Sequence, residues 1–360
     1  MVDFTTRLIA VATENPPGNC YAECADLLRV ELQRLGFDGV RREGDCVLGF
    51  AGEGDRTLYF HGHYDVVPAQ SDAQFQPRLK GANLFGRGSS DMKSGLASMI
   101  YAAVAARDFG ALRSGRIGIV LVPDEETAGP RGSRLLADRG ILGAGAIGML
   151  TPEPTGGVVW NANRGAFTIH ATVRGKPAHV GRQHEGVNAF ERAIPLLNEL
   201  AELKRKVEGR GSIMMMGGRA EGGTNFNVVP DRFSFTIDRR FDPEEDLETE
   251  KQRLLALLNG VEVEVIQEGR SCRVAEDGSV AAALAQSIQE VTRKPAQFEM
   301  CPGLLEIRFY AERGIPAFAY GPGLLTVSHG PDEFVPVDRM VDCAAAYALT
   351  AERVFSALVL

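Results

Sequence analysis

The sequence has no CxxC pair and no paired cysteine framework: its six cysteines, at positions 20, 24, 46, 272, 301 and 343, lie scattered along the chain. That usage suits reduced thiols and argues against a disulfide scaffold and a sulfur-ligated zinc. No apolar run approaches the ~20 residues that a membrane helix needs. Met1 to Ala12 carries Asp3 and Arg7 inside its apolar pattern and lacks the layout of a signal peptide. The expectation is a cytoplasmic protein with no membrane partner. Positive charge is also short: 39 Lys and Arg against 47 Asp and Glu leave a net charge of −8. That sign argues against nucleic acid or an anionic membrane as the main partner. No G-x-G-x-x-G follows the early strands, which removes the main support for a dinucleotide-binding domain. Internal repeats and low-complexity linkers are missing as well.

What remains is ordinary globular material, 44% apolar and 24% charged, but its 360 residues exceed what one core usually supports. The periodicities predict helices at Asp3–Ala12, Tyr21–Leu35, Ser90–Ala106 and Ser133–Arg139. Between them lie strands at Cys46–Phe50, Leu58–Phe60, Arg116–Pro123 and Gly145–Leu150, and a long loop from Pro68 to Gly88. Arg116–Pro123 is apolar throughout, as a strand covered on both faces should be. Strands alternating with helices predict a mixed or parallel sheet covered by helices. Near Asn163 the pattern changes. Strands at Phe167–Arg174, Ser212–Met216, Asn225–Val229, Phe233–Arg239 and Val261–Gln267 surround helices at Asn188–Lys206 and Glu244–Leu258. These predict an α+β layer of the split βαβ, ferredoxin-like type. The α/β rhythm then resumes, with helices at Ser279–Val291 and Ile307–Arg313, a strand at Ala317–Tyr320 and a final helix from Val337 to Leu358. The expected organisation is an α/β domain in two parts, 1–163 and 272–360, interrupted by a smaller domain at 164–271.

Acid and imidazole groups recur at predicted strand or helix ends: His63 and Asp65, Asp91, Glu125 and Glu126, and Glu153. His329 adds a further imidazole from a loop. In an open α/β sheet such ends line a crevice. Singly, each has a bland explanation: Asp91 as a helix N-terminal carboxylate, Glu125 and Glu126 as an acidic turn, Glu153 as a turn residue, His329 as a surface group. Together, two imidazoles and three carboxylates without thiolates suit zinc, and cobalt or manganese would also fit. One carboxylate can bridge two ions, leaving Glu125 free as a general base. A carboxylate next to an imidazole, here Asp65 beside His63, is how the tautomer of a metal-bound histidine is fixed.

His63-Tyr64-Asp65, the run Gly86 to Gly95 (GRGSSDMKSG), Asp124-Glu125-Glu126 and Glu153-Pro154-Thr155 resemble the metal motifs of one family. It is the co-catalytic di-zinc family of acetylornithine deacetylase, succinyl-diaminopimelate desuccinylase, aminoacylase and glutamate carboxypeptidase. The resemblance runs in the same order through nearly the whole chain. It implies two zinc ions, one held by His63 and Glu153, the other by Glu126 and His329, with Asp91 bridging. It further implies Glu125 as general base and acid, Asp65 as the partner orienting His63, and a cis peptide at Asp91–Met92. Gly175-Lys176-Pro177-Ala178-His179-Val180 with Gly186-Val187-Asn188-Ala189 resembles the family's lid and dimerisation segment. That implies a homodimer in which His179 reaches the partner subunit's site and stabilises the oxyanion. Asn227 and Arg240 fit the family's substrate-binding positions, a guanidinium being a natural partner for a substrate carboxylate.

The chain departs from the family in Cys301-Pro302-Gly303-Leu304-Leu305-Glu306-Ile307-Arg308, where relatives often carry a Gly-Gly-Thr-Asp-like loop. Gly303 counts with the substrate-binding positions, but Leu304, Leu305 and Glu306 prevent any named relative's substrate from being carried over. The expected activity is metal-dependent hydrolysis of an amide in a small N-acyl amino acid, deacetylase- or desuccinylase-like. A di- or tripeptidase or small-substrate carboxypeptidase on the same site is the alternative, and an inactive metal-binding protein a remote one.

Overall fold

The structure is a computed structural model that describes residues 1–112 and 114–356. Helices α1 (Val2–Ile9) and α2 (Tyr21–Arg34) lead into strands β1 (Asp38–Glu43), β2 (Cys46–Gly52) and β3 (Thr57–His63). Then come β4 (Arg78–Lys80), β5 (Asn83–Phe85), α3 (Lys93–Asp108), β6 (Arg116–Val122), α4 (Ser133–Asp138), β7 (Ala146–Thr151) and β8 (Val159–Asn163). The next stretch holds β9 (Gly165–Arg174), α5 (Ala189–Glu208), β10 (Ile213–Gly222), β11 (Arg232–Phe241), α6 (Leu247–Leu257) and β12 (Glu262–Gly269). The chain closes with β13 (Cys272–Arg273), α7 (Ser279–Thr292), β14 (Phe298–Cys301), α8 (Ile307–Ala311), β15 (Ala317–Ala319), β16 (Phe334–Pro336) and α9 (Val337–Ser356). Two units separate: Met1–Ala162, Cys272–Cys301 and the chain from Leu305 onward form one, Asn163–Ser271 with Pro302–Leu304 the other.

In the first unit a mixed sheet runs β1-β2-β6-β3-β7-β15-β8-β13, with β14 paired to β8. Its central strands β6, β3, β7 and β15 are parallel. Alternation along β3 and β6 explains why both faces are covered. Leu58, Phe60, Ile117, Ile119 and Leu121 pack with Leu96, Met99 and Tyr347 in one core. Tyr59, Val120 and Val122 pack with Leu136, Met149 and Tyr310 in the other. A strand buried on both sides has no polar face, which is why these segments read as continuous apolar runs.

The second unit has the order β-α-β-β-α-β and the sheet β10-β11-β9-β12, antiparallel throughout. That is the ferredoxin-like arrangement. Phe167, Ile169, Phe235 and Ile237 meet Leu200 and Leu254 in its own core. The Asn188 side chain caps α5 by accepting from the N–H groups of Phe190 and Glu191, and Asp246 caps α6 by accepting from Thr249. The α6 cap explains a helix start three residues later than the predicted Glu244.

Several expectations are corrected. The predicted strand at Asn225–Val229 is a turn, because the Asn225 side chain accepts from the Phe226 N–H and its carbonyl from the Val228 N–H. Only Val228 makes a bridge there, to His179. The loop after Pro68 contains β4 and β5, which form a small sheet with β16. Helix α3 begins at Lys93 rather than Ser90, leaving Ser90 to Met92 in a turn. Strand β1 was not anticipated, because its residues Asp38–Glu43 are polar and lie at the sheet edge. Of the helix predicted over Val337–Leu358, the last two residues lie outside the described ones. No helix among the described residues is long and apolar enough to cross a membrane.

Candidate metal centre

Because β3, β6 and β7 are parallel, the segments that follow them leave the sheet at one edge. His63 is the last residue of β3. Its Nδ1 lies 3.0 Å from the Asp65 carbonyl and 3.4 Å from the Asp65 carboxylate. A proton on Nδ1 leaves the Nε2 lone pair facing Asp91 Oδ1 at 3.3 Å and Glu153 Oε2 at 3.9 Å. Beyond β6, Asp124 adopts φ 71° and swings the chain round. The Asp65 carboxylate then accepts from the N–H groups of Glu125 at 3.2 Å and Glu126 at 3.1 Å. Asp65 therefore holds two segments, the imidazole of His63 and the backbone of the Glu-Glu pair. Glu153 follows β7. A Cβ at Gly95 would stand 2.3 Å from the Pro152 carbonyl oxygen, so only glycine lets α3 press on the loop that carries Glu153.

Asp91 precedes α3, and its peptide bond to Met92 is cis. Its second oxygen, Oδ2, lies 3.3 Å from Nε2 of His329, which is 3.4 Å from Glu126 Oε2. Two candidate ligand groups result, His63–Asp91–Glu153 and Asp91–Glu126–His329, each with its donor atoms within 4.8 Å of one another. They share Asp91, one oxygen to each. Tetrahedral coordination at bonds of ~2.0–2.1 Å places donors ~3.3 Å apart, which most of these separations approach. His63 Nε2, Glu126 Oε1 and Glu153 Oε1 are buried and make no hydrogen bond. Buried polar atoms without partners are costly, and a cation between them would supply what is missing. The residues fit divalent ions.

The titration behaviour says the same. Burial pushes Glu125 well above the ordinary carboxylate range, lifts Glu126, and takes Glu153 to about 8. Burial alone would raise Asp91 too, but hydrogen bonds from His329 and His63 hold it well below its usual value. Hydrogen bonds to Asp91 and Glu126 carry His329 up to about 10. Burial works against a charged His63, yet its contacts with Asp65 and Asp91 raise it well above the usual imidazole value. So much buried negative charge favours a positive partner, whether protons or metal.

Glu125 belongs to neither ligand group. Its Oε2 is 3.9 Å from His63 Nε2 and its side chain is 12% exposed. His61, two residues before His63, points into the smaller core, where Nδ1 meets the Tyr310 hydroxyl at 3.0 Å and Nε2 the Ser133 hydroxyl at 2.9 Å. Glu306, in the segment that departs from the family, is buried 3.5 Å from His61 and 3.4 Å from Arg308. The remaining candidates lie on the second unit. His179 Nδ1 accepts from the Gly181 N–H at 3.1 Å, and the Asn227 carbonyl accepts from the Val180 N–H at 2.9 Å. Arg240 forms a two-pronged pair with Asp238 at 2.8 and 3.1 Å. Gly303 clusters with this unit through Pro302–Leu304. Sequence reading missed Asn15, whose amide donates to Asp65 at 2.9 Å and to Asp124 at 3.3 Å. An asparagine before Pro16-Pro17 reads only as a turn.

Comparisons with known proteins give a family and a fold. The sequence model of peptidase family M20/M25/M40 matches residues 59–353. The chain is 28% identical over 382 aligned positions to the succinyl-diaminopimelate desuccinylase of Polynucleobacter necessarius subsp. necessarius (strain STIR1), covering 98% of both proteins. Its fold matches an M20 family metallo-carboxypeptidase, Sso-CP2, from Sulfolobus solfataricus, with a TM-score of 0.81 at 16% identity over 98% of both chains. It also matches YXEP of Bacillus subtilis, a dinuclear metal binding peptidase, with a TM-score of 0.68 at 17% identity over 98% of this chain and 99% of that one.

Proposed function

From a chain that belongs to peptidase family M20/M25/M40, and is therefore a metal-dependent hydrolase of amide or peptide bonds, we propose a deacylase acting on a small N-acyl amino acid. The observation that carries this reading is Glu125: a largely enclosed carboxylate beside His63 but outside both ligand groups. We assign His63 and Glu153 to one ion, Glu126 and His329 to the other, Asp91 to both, and zinc as the metal, with cobalt or manganese able to substitute. When bound, such ions polarise the amide carbonyl and make a water acidic enough to attack near neutral pH.

The rest falls to the chain. Glu125 accepts the water proton and returns it to the amide nitrogen as the C–N bond breaks. Burial raises its affinity for a proton above that of a free carboxylate, the direction that helps it take up the water proton. Asp65 keeps Glu125 in reach by holding its backbone N–H. Arg240 is assigned to the substrate carboxylate and Asn227 and Gly303 to substrate binding. His179 is assigned to the oxyanion in a partner subunit's site, through a homodimer made by the inserted unit. The similarity to a desuccinylase along the whole chain supports an acyl amino acid over a peptide.

A hydrolysis screen over acetyl-, formyl- and succinyl-amino acids and dipeptides, with metal content measured on the same sample, tests this. Turnover of an acyl amino acid that chelation abolishes and added zinc or cobalt restores is the expected result. Turnover of dipeptides alone would replace the deacylase with a peptidase, and activity indifferent to chelators would end the metal assignment.

A further inference from the structure

His329 has no strand beneath it. It sits in a loop at φ 65°, and its side chain is 50% exposed. Its backbone is nonetheless tied down. The His329 carbonyl accepts from Arg87 Nη2 at 3.2 Å and Gln70 Nε2 at 3.1 Å, and the next carbonyl, of Gly330, accepts from Gln74 Nε2 at 3.0 Å. Arg87 also donates through Nη1 to Glu333 Oε2 at 2.6 Å, both side chains being 1% exposed. The Glu333 carboxylate takes three backbone N–H groups of the segment ending in the shared ligand. Gly88 donates to Oε2 at 3.0 Å, and Ser90 and Asp91 donate to Oε1 at 2.9 and 3.0 Å. One buried ion pair thus joins the loop of Asp91 to the loop of His329.

We propose that Arg87 and Glu333 are positioning residues that set His329 against Asp91 and so decide how tightly the Asp91–Glu126–His329 group holds its ion. The inference rests on the two-ion reading above. His63 and Glu153 need no such device, since His63 ends a strand paired on both sides and Glu153 follows another strand. A flat guanidinium can serve Glu333 and the His329 carbonyl at once; an ammonium has no such fork. A lysine that keeps the Glu333 pair, and with it the Asp91 backbone, but loses the His329 carbonyl therefore weakens one ion selectively.

The test is titration of chelator-stripped protein with cobalt, read by calorimetry and by the visible spectrum of the bound ion. Wild type is expected to take two ions. In Arg87→Lys the first should bind within about threefold of wild type, and the second about 10–100-fold more weakly, the usual effect of losing a partner that orients a ligand. Gln70→Ala, at an exposed residue, should weaken the second ion by a smaller factor and keeps the test open should Arg87→Lys not fold. Equal weakening of both ions, or of neither, overturns the inference while leaving the two-ion reading intact. A wild-type protein that takes only one ion overturns that reading, and this inference with it.

Discussion

The two ligand groups share an aspartate and differ in almost everything else. His63, Asp91 and Glu153 are all buried, and two of them issue from neighbouring strands whose register is set by cores on both faces of the sheet. In Asp91, Glu126 and His329 burial declines from one residue to the next, and the imidazole is half open to solvent. The first group inherits its geometry from the fold. The second relies on a few side-chain hydrogen bonds between loops, among them those of Asp65 to the Glu125–Glu126 backbone. A sheet end fixes the backbone of the residues that leave it and needs Asp65 only to orient the His63 imidazole. A loop site needs supports for its backbone as well and gains access to solvent in return.

That contrast can be broken in four ways, beginning with the largest effect. His63→Ala should abolish tight binding at the buried group and all hydrolysis, while His329→Ala should keep one ion in a metal analysis. If His329→Ala loses both ions, the groups are not independent. Glu125→Gln should lower kcat by about 10²–10⁴, the usual range for a lost acid–base group, with both ions retained. A rate near wild type would remove Glu125 from the reaction. Asp65→Ala frees both the His63 imidazole and the Glu126 backbone, so ion affinity at both groups should fall by about 10–100-fold. A loss confined to one group would mean that Asp65 serves only that side.

The smallest effect on either group is expected from Glu31→Gln, which serves as the control. Glu31 is 1% exposed and receives hydrogen bonds from Arg7, Arg34 and Tyr101. Burial would raise its carboxyl, but the bonds from Arg34 and Arg7 outweigh that and hold it at about 2, below the 4.5 of a free glutamate. Its contribution is therefore present above pH 4.5 and lost as the pH falls toward 2. Glu31→Gln should cost about 1–3 kcal/mol at neutral pH, and the gap from wild type should close in acid, as followed by thermal unfolding. Changed ion affinities in this variant would show that the contrast between the groups reports overall stability.

The sequence was most informative where one residue type has few reasons to occur. His63, Asp91, Glu125, Glu126, Glu153 and His329 are singled out as acid and imidazole groups at element ends, and the structure gathers all six at one edge of the sheet. The mixed sheet covered by helices was legible because the central strands lack a polar face. Asn15, Arg87 and Glu333 were not legible. Asparagine, arginine and glutamate are common surface residues, and what sets these three apart is burial against polar groups distant in sequence. Asn225–Val229 failed for the opposite reason: its apolar content favours a strand, but two local hydrogen bonds to Asn225 fold it into a turn.

Strand β15 carries one more consequence. It fills the gap between β7 and β8, strands laid down before the inserted unit, yet it is itself encoded after that unit. The middle of the large sheet therefore stays incomplete until the inserted unit has left the ribosome, and β7 meanwhile presents an unpaired edge. Contacts so distant in sequence slow folding and leave apolar edges open to association. The independent core of the ferredoxin-like unit, all of it from one contiguous stretch, allows that part to form first. The order of synthesis thus places a self-sufficient module in the interval when the catalytic sheet is most exposed.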